Sequence, residues 1–267
     1  MTGGGSGIGR ATVLEMAEAG ATVVTCGRRI EPLRETAALA PDAVVDAISC
    51  DIREEAEVDE LVERVLERHG QIDVLVNNAG GQFLCPAEDI TPKGFRTVIR
   101  LNLEGTWLMT HAVATRAFIP SGRGGKVVSV TLTPHDGLPG MAHSSAARAG
   151  VENLMKVLAI EWARFGICLT AVAAGVIETD TFRSKYPQQL IDNLSTSVPL
   201  GRLGTAEDMA RMIAFLASPA GDYITGTVIT VDGGHDIHQG TYPPEKLTLE
   251  SGKPVSEQRR RPSSAAP

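Results

Sequence analysis

The first ten residues hold a glycine-rich segment, Thr2–Arg10, that reads TGGGSGIGR. Three of its glycines have the spacing G-x3-G-x-G, and an apolar-periodic stretch, Ala11–Ala19, follows directly. Glycine lets the backbone turn sharply against a diphosphate, and the N-terminus of the next helix offers free N–H groups. Because a strand-like run, Ala21–Cys26, comes after the helix, the segment predicts a nucleotide-binding turn. The candidate phosphate-binding residues are Gly3, Ser6, Gly7, Ile8 and Gly9.

The composition is typical of a soluble globular protein that is long enough for one large domain or two small ones. The 267 residues include 25 Lys and Arg against 32 Asp and Glu, a formal charge of −7, and 43% are hydrophobic. The acidic balance argues against a surface for nucleic acid, and no apolar run approaches the ~18–20 residues of a membrane span. The start lacks the apolar core of a signal peptide. The four cysteines are far apart in the sequence, which fits reduced thiols rather than a disulfide framework. We therefore expect a cytoplasmic protein.

Short β-branched runs alternate with longer amphipathic stretches such as Glu55–Arg68. The runs predicted as strands are Ala21–Cys26, Ala43–Ser49, Ile72–Val76, Lys126–Val130, Ile167–Val172 and Thr227–Val231. This alternation predicts an α/β fold with a doubly wound parallel sheet covered on both faces. One domain is expected over residues 1–234, and residues 235–267 are predicted to form a C-terminal extension with a disordered end.

Three motifs carry a family resemblance. The glycine turn, NNAG at Asn77–Gly80 and VDGG at Val231–Gly234 resemble the short-chain dehydrogenase/reductase family over nearly the whole chain. More narrowly, Gly80–Glu88 and His143–Leu154 resemble the peroxisomal trans-2-enoyl-CoA reductases and the related 2,4-dienoyl-CoA reductases. The resemblance implies a Rossmann-like fold and a pyridine dinucleotide cofactor.

The resemblance also exposes a missing element. Members of the family begin with an apolar strand before the glycine turn, whereas only Met1 precedes it here. That strand is central in a doubly wound sheet ordered 3-2-1-4-5-6. Losing several buried aliphatic side chains at ~1.5–3 kcal/mol each would remove most of a typical stability of ~5–15 kcal/mol. We therefore expect the native start to lie upstream of Met1, or the sequence to be truncated.

The residues after the second predicted strand bear on the choice of cofactor. In NAD-binding relatives an acid at this strand end bonds the ribose 2′-OH, whereas here Gly27 is followed by Arg28 and Arg29. Guanidinium groups grip a 2′-phosphate with paired hydrogen bonds, which favours NADP(H). The alternative is an arginine that only faces water. Asp51, with its neighbour Ile52, resembles the adenine-contacting position of the family, although an Asp at a strand end is also a common helix cap.

Further positions resemble the cofactor side of the family site. The segment that holds the central sheet beside the adenosine ribose comprises Asn78, Ala79 and Gly80. Ile177 and Thr179 match positions that contact the nicotinamide amide, although Ala-Gly replaces the family's Pro-Gly at 174–175. Asn102 resembles the active-site asparagine that orders a water near the catalytic lysine. Without the resemblance, such amides are ordinary turn or helix-interior residues.

The catalytic positions depart from the family's Ser…Tyr-x-x-x-Lys pattern. The register of AGVENLMK places Thr131 at the serine position, Ser144 at the tyrosine and Arg148 at the lysine. Ser144 and Arg148, four residues apart, share one helix face. A tyrosine of pKa ~10 can hand a proton to an alkoxide, but a serine hydroxyl is too weak an acid. Arg148 is expected to stay charged and to replace lysine imperfectly. Carbonyl reduction by the usual mechanism is therefore not expected.

One reaction depends less on the residues that are replaced here. When a conjugated enoyl thioester is reduced, hydride adds to the β-carbon, the thioester oxygen becomes enolate-like and the α-carbon takes a proton. Thr131 and Ser144 could act as hydrogen-bond donors to that oxygen. The proton could come from water, His143 or His135. This chemistry favours 2-enoyl or 2,4-dienoyl reduction over alcohol oxidation.

Related reductases have a tyrosine at one of two other positions. The dienoyl-CoA reductases carry it where this chain has Thr133, and some enoyl reductases carry it where this chain has Glu152. We interpret Glu152 and Lys156 as an exposed i, i+4 ion pair rather than as a catalytic pair. His235 and the nearby Asp236 and His238 are interpreted as a wet loop, so no metal site is predicted.

The substrate side is predicted at the mouth of the crevice, where residues 179–199 form a mobile lid over an acyl chain. Phe182 in this lid, together with Gln82 and Phe83, could line the acyl cavity. Arg183 or Lys185 could contact the phosphates of coenzyme A, although simple solvated charge is the plainer interpretation.

Three functions stay open at this point. The first is an NADP(H)-dependent reductase of 2-enoyl or 2,4-dienoyl thioesters. The second is an alcohol or carbonyl dehydrogenase with an unrecognised acid, and the third is a catalytically impaired pseudo-enzyme that binds nucleotide. The family resemblance also implies a homo-dimer or homo-tetramer packed through Leu103–Phe118 and Glu152–Ala163.

Overall fold

A parallel β-sheet with helices on both faces organises the chain in the computed structural model, which describes residues 1–185 and 188–238. Six strands run parallel: β1 (Val23–Gly27), β2 (Val45–Ser49), β3 (Val74–Asn77), β4 (Gly125–Leu132), β5 (Ile167–Ala174) and β8 (Thr227–Val231). Two short strands, β6 (Ile177–Glu178) and β7 (Gly204–Thr205), form a separate pair. Each predicted strand coincides with an observed one.

Ten helices connect and cover these strands. They are α1 (Gly7–Glu18), α2 (Ile30–Ala38), α3 (Glu55–His69), α4 (Pro92–Ile99), α5 (Gly105–Val113), α6 (Ile119–Ser121), α7 (Ala142–Trp162), α8 (Asp180–Lys185), α9 (Gln188–Ser197) and α10 (Ala206–Ala217). This count applies to the described residues. Two π-helical turns, Arg100–Glu104 and Ala114–Phe118, join α4, α5 and α6 into one helical run.

Successive side chains of a strand point to opposite faces of the sheet, so they pack into different parts of the core. On β3, Leu75 packs into the cluster covered by α3, α5 and α7, whereas Val76 packs into the cluster covered by α10. Val127 and Val128 of β4 divide between the two clusters in the same way. The doubly wound, Rossmann-like α/β fold predicted from the sequence is therefore confirmed.

The sheet is interrupted between β1 and β3, where two residues stand in place of a strand. Thr2 forms a single parallel bridge with Cys26, and its N–H donates to the Val76 carbonyl at 2.9 Å. The amino group of Met1 donates to the carbonyl of Val24 at 2.9 Å. These bonds hold the glycine turn at the carboxyl ends of both neighbouring strands. An apolar cavity of about 50 Å³ lies alongside, lined by Met1, Val24, Cys26, Leu61, Val62, Val65, Ile72, Val74, Leu75, Met109 and Val113.

The long helix α7 packs on β4 and β5 and carries the candidate catalytic side chains. Ser144, Arg148 and Glu152 follow one another at intervals of four, so they form a stripe along one side of the helix. All three are buried. Gly150, between them, lies against Leu103 of the π-helical turn and allows the two elements to approach closely.

The segment predicted as a lid folds into α8 and α9. Ile191, Val198 and Leu203 form a small buried cluster, against which Phe182 packs. The first residues of the predicted C-terminal extension, 235–238, return to the sheet edge, and residues 239–267 lie outside the described part of the chain. None of the described helices combines the length and apolar character that crossing a membrane requires.

Replacing Phe118 by alanine tests the core. Phe118 is fully buried, and its ring lies so close to Gly125 of β4 that a Cβ there would collide with it. We expect Phe118→Ala to lower the free energy of unfolding by ~3–5 kcal/mol through lost burial and a residual cavity. Phe215, which is 45% exposed on α10, is the control, and Phe215→Ala should cost much less. Equal losses in urea titrations of the two variants would contradict this packing.

Candidate active site

The glycine turn has the geometry of an anion cradle. Gly3 and Gly7 adopt φ values of +72° and +51°, which disfavour other residues. A Cβ on Gly9 would collide with the Gly3 carbonyl, so the start of α1 can pack tightly on the turn only with glycine there. Within the described structure the Ser6 side chain does not cap α1, and the first helical turn carries no acid. The N–H groups around Gly7 and Ile8 therefore suit a diphosphate.

Asn78 fastens this turn to the end of β3. Its Nδ2 atom donates to the carbonyls of Thr2 and Gly3, both at 3.2 Å. The N–H groups of Asn78 and Ala79 donate to the Thr2 hydroxyl, each at 3.0 Å. A Cβ on Gly7 would lie 3.1 Å from the methyl group of Thr179. The turn therefore adjoins the segment that the sequence assigns to the nicotinamide, where Ile177 is buried.

The two arginines predicted to select the cofactor follow β1 directly. Arg28 and Arg29 are both exposed. Asp51, at the end of β2, binds Arg53 through Nε at 2.9 Å and Nη2 at 2.5 Å. These hydrogen bonds, with smaller help from the charge of Arg28, hold the pKa of Asp51 below its usual value. The neighbouring Ile52 is buried. The cofactor-side candidates thus share the carboxyl edge of the sheet.

The side chain of Asn102 binds the backbone of the loop that follows β3. Its Oδ1 atom accepts from the Gly81 N–H at 3.0 Å, and its Nδ2 atom donates to the Gly81 carbonyl at 2.8 Å. A Cβ on Gly80 would lie 2.6 Å from Asn102 Oδ1 and would collide with the Arg148 guanidinium. Glycine at position 80 therefore lets both side chains pass the backbone. The π-helical turn that carries Asn102 aims its amide at this loop.

Arg148 brings a buried positive charge to the carboxyl end of β4. The residue is 8% exposed, and its Nη1 atom donates to the Val130 carbonyl at 2.7 Å. Burial lowers the pKa of Arg148 to about 10, while the negative charge of Glu152 acts in the opposite direction. The guanidinium group therefore stays charged at neutral pH.

Glu152 is buried beside Thr131, and its interpretation as an exposed partner of Lys156 is wrong. Thr131, 2% exposed, donates to Glu152 Oε1 at 2.8 Å, and Glu152 is 9% exposed. Lys156 is exposed. At 3.6 residues per turn, position 156 lies about 120° around the helix from Ser144, whereas position 152 lies only about 80° away. Glu152 therefore still faces β4, whereas Lys156 does not.

His135 joins Glu152 to the segment after β8. Its ring Nε2 lies 3.4 Å from Glu152 Oε1, and its Nδ1 lies 2.5 Å from Asp236 Oδ2. The backbone N–H of His135 also donates to Asp236 at 2.7 Å. Burial alone would lower the pKa of His135, but the bond to Asp236 and the charge of Glu152 outweigh it, so this pKa is raised. Burial likewise opposes ionisation of Asp236, yet the bond to His135 keeps its pKa low.

Ser144 points to the loop that follows β3. Its hydroxyl donates to Gln82 Oε1 at 3.0 Å, and its N–H donates to His143 Nδ1 at 2.7 Å. The rings of His143 and Phe83 meet edge to face, with 4.3 Å between centroids. Burial lowers the pKa of His143, against a weaker opposing effect of the Met141 backbone. His143 is therefore neutral at physiological pH.

The lid contributes fewer polar groups than the sequence suggests. The Thr179 hydroxyl accepts from the Phe182 N–H at 3.2 Å and so begins α8. Arg183, a candidate for phosphate contact, pairs with Glu178 at 3.1 Å. The Lys185 side chain, the other candidate, lies outside the described part of the structure.

Comparison with known proteins places this site in a family. A family model described as enoyl-(acyl carrier protein) reductase matches residues 3–236. The chain belongs to the short-chain dehydrogenase/reductase family. A probable 2,4-dienoyl-CoA reductase [(2E)-enoyl-CoA-producing] of Bacillus subtilis is 38% identical over 240 residues, which cover 88% of this chain and 94% of that relative.

Solved structures share the fold closely. A short-chain dehydrogenase from Bacillus anthracis superposes with a TM-score of 0.82 at 37% identity, covering 90% of this chain and 96% of the other. An actinorhodin polyketide ketoreductase solved with NADPH gives a TM-score of 0.84 at 30% identity, covering 88% and 95%.

The structure brings the predicted catalytic residues together and places two further carboxyl groups, Glu152 and Asp236, in contact with this cluster or with His135. Asn102, Thr131, Ser144 and Arg148 surround the ends of β3 and β4, and His143 lies beside Ser144. Sequence reasoning missed the burial of Glu152 and the contact of Asp236 with His135. The spacing of Glu152, four residues after Arg148, is a signal that could have found it. The contact of Asp236 with His135 spans 101 positions of the chain, so no local pattern marks it.

The ion pair between His135 and Asp236 predicts a pH-dependent stability. Because the folded pKa of His135 is raised, its contribution is complete below the unfolded pKa of ~6.5 and disappears as the pH rises through the folded pKa. Asp236→Asn should therefore cost ~0.5–1 kcal/mol at pH 6 and clearly less at pH 9. Asp222→Asn is the control, since its partner is the ammonium group of Lys126 rather than an imidazole. Equal costs of Asp236→Asn in urea titrations at the two pH values would refute this pair.

Proposed function

We propose that this protein is an NADP(H)-dependent reductase of 2-enoyl or 2,4-dienoyl thioesters. The observation that carries the proposal is a pair of buried hydroxyls, Thr131 and Ser144, beside the buried charge of Arg148. Tyr223, the tyrosine within the described part of the chain, is fully exposed. The site thus offers hydrogen-bond donors and positive charge in place of a phenolic acid.

The fit of the cofactor rests on the glycine turn and the arginine pair. The cradle around Gly3 and Gly7 excludes side chains and leaves helix N–H groups for a diphosphate. Arg28 and Arg29, exposed at the adjoining strand end, suit the 2′-phosphate of NADP(H). The NADPH in the similar ketoreductase structure supports the same choice. When bound, the reduced nicotinamide supplies hydride to the β-carbon of the substrate.

The chain's own residues then stabilise the charge that develops on the substrate. Ser144 and Thr131 are donors for the thioester oxygen as it becomes enolate-like, and the charge of Arg148 lowers the energy of that anion. Asn102 fixes the loop that brings Gln82 to Ser144. Phe83 and Phe182 are proposed to contact the acyl chain. The dienoyl-CoA reductase relative supports an acyl-CoA substrate.

A second candidate is a carbonyl or alcohol dehydrogenase. The buried carboxyl group of Glu152, bonded to Thr131 at 2.8 Å, supplies an acid that could serve an alkoxide in place of tyrosine. We further propose a cytoplasmic homo-dimer or homo-tetramer. The exposed side chains of Trp107, Val157 and Ile160 on α5 and α7 support subunit packing at these helices.

Removal of the arginine pair tests the cofactor. The double variant Arg28→Ala/Arg29→Ala should weaken NADPH binding by ~10–100-fold, since charge-assisted hydrogen bonds contribute ~1.5–3 kcal/mol. Binding of NADH should change little, because it lacks the 2′-phosphate. Arg34→Ala removes an exposed arginine of α2 and is the control. Equal losses for both cofactors, measured by calorimetry, would reject the 2′-phosphate role.

A substrate panel with a serine variant tests the reaction. NADPH absorbance is followed with crotonyl-CoA, a longer 2-enoyl-CoA, a 2,4-dienoyl-CoA and several aldehydes. We expect turnover with the thioesters and a ~10²–10³-fold lower kcat in Ser144→Ala, the usual cost of one oxyanion donor. Ser145→Ala, one residue along α7, is the matched control and should stay near wild type. Turnover with aldehydes alone would eliminate the thioester proposal, and cofactor binding without any turnover would support a pseudo-enzyme.

A further inference from the structure

A row of polar groups leads from the end of β4 to the protein surface. Thr131 donates to Glu152 at 2.8 Å, and the same carboxylate oxygen lies 3.4 Å from His135 Nε2. Asp236 holds the other ring nitrogen at 2.5 Å. Exposure rises along this row, from 2% at Thr131 and 9% at Glu152 to 32% for the His135 side chain. The row therefore connects a buried hydroxyl to solvent through one carboxyl group and one imidazole.

We propose that Glu152 is a proton relay. During the reduction it passes a proton, which His135 takes up from solvent, to Thr131. The inference rests on the proposed function, and it names the acid that the serine and arginine replacements leave unidentified. Asp236 is a positioning residue in this scheme, because it acts on the substrate only through His135.

The relay depends on which group donates in the hydrogen bond between Thr131 and Glu152. A hydroxyl has one hydrogen, and in this structure Thr131 gives it to the Glu152 carboxylate. In that state Thr131 has no hydrogen for a substrate. When Glu152 is protonated, its carboxyl group donates to Thr131 Oγ, and the threonine hydrogen turns to the substrate. The protonation state of Glu152 thus decides whether Thr131 can act.

The proton transfers balance the reduction. With a reduced nicotinamide bound, the β-carbon of the substrate would receive a hydride with its two electrons, and the substrate would become an enolate. Thr131, which first donates to the thioester oxygen, then turns its hydrogen to the α-carbon. Its O–H bond breaks as the C–H bond forms, and in the same step Thr131 takes the carboxyl proton of Glu152, so the carboxyl group is the acid. The imidazolium of His135 then returns a proton to the Glu152 carboxylate and is itself reprotonated by water. The net input is one solvent proton for each hydride.

The charges around His135 favour its protonated form, which is the proton donor to Glu152 in this scheme. Asp236 and Glu152 contact the ring from the segment after β8 and from α7. Two basic side chains lie one step further away, His235 near Asp236 and Arg148 near Glu152. The raised pKa of His135 agrees with the dominance of the two carboxylates.

The other buried hydroxyl has no comparable route among the described residues. Ser144 donates to the amide oxygen of Gln82, which holds no transferable proton. His143, next to it, is fully buried, and burial lowers its pKa. To donate to the substrate, Ser144 turns its hydrogen from the Gln82 amide oxygen to the thioester oxygen, while the proton arrives by way of Thr131.

Glu152→Gln is the decisive variant, because glutamine keeps the shape and still accepts from Thr131 but cannot carry the proton. We expect kcat to fall by ~10²-fold or more, the usual contribution of a general acid, with an unchanged KM for NADPH. Wild-type kcat should fall as the pH rises through the pKa of His135, and this limb should be absent from Glu152→Gln and from His135→Gln. Glu161→Gln, an exposed site on the same helix, is the control.

An NMR titration supplies a readout that needs no substrate. The ring signals of His135 are followed against pH in the wild type, in Glu152→Gln and in Glu161→Gln. The pKa of His135 should fall in Glu152→Gln and stay unchanged in the control, because Glu152, unlike the exposed Glu161, contacts the ring. An unmoved titration would overturn the coupling on which the relay depends.

The outcomes separate this inference from the proposed function. A Glu152→Gln enzyme within threefold of wild-type kcat, or with an unaltered pH limb, overturns the relay and leaves thioester reduction in place. If wild type reduces aldehydes alone, the thioester proposal fails. Loss of aldehyde turnover in Glu152→Gln then supports the relay, with the proton going to an alkoxide oxygen. A wild type that binds NADPH and reduces nothing contradicts both.

Discussion

Burial of the Arg148 guanidinium is the constraint around which this site is built. An isolated buried charge is costly, and here the Val130 carbonyl and the nearby carboxylate of Glu152 offset that cost. Gly80 must lack a side chain so that the guanidinium can pass. Glu152 in turn engages Thr131. The buried cation therefore requires glycine at position 80 and is compensated by the Val130 carbonyl and the Glu152 carboxylate.

Parallel strands make this arrangement possible, because their carboxyl ends share one edge of the sheet. The hydrogen-bond register aligns Asn77 of β3 with Ser129 of β4, and Thr131 of β4 with Ala173 of β5. The glycine turn meets the same edge through Met1 and Thr2. The glycine turn, the candidate donors and the buried charge thus lie along one edge of the sheet, where the ligand crevice of an open α/β sheet is expected.

The chemistry available at that crevice differs from the pattern Ser…Tyr-x-x-x-Lys. A phenol beside an ammonium group combines acid and charge in two neighbouring side chains. In the proposed scheme the charge belongs to Arg148, the donors are Thr131 and Ser144, and the acidic function lies in Glu152 and His135. Distributing the roles in this way suits a substrate whose anion is stabilised on oxygen while its proton goes elsewhere.

The sequence by itself determined the local features of this protein. Strand runs, the glycine turn and the four-residue spacing of Ser144 and Arg148 all follow from periodicity and backbone chemistry, which act over short distances. Only the tertiary structure decided that Glu152 is buried and that Asp236 reaches His135. Those contacts depend on how α7 is rotated against β4 and where the chain emerges from β8. Such geometry is set by packing between distant segments, and no local spacing encodes it.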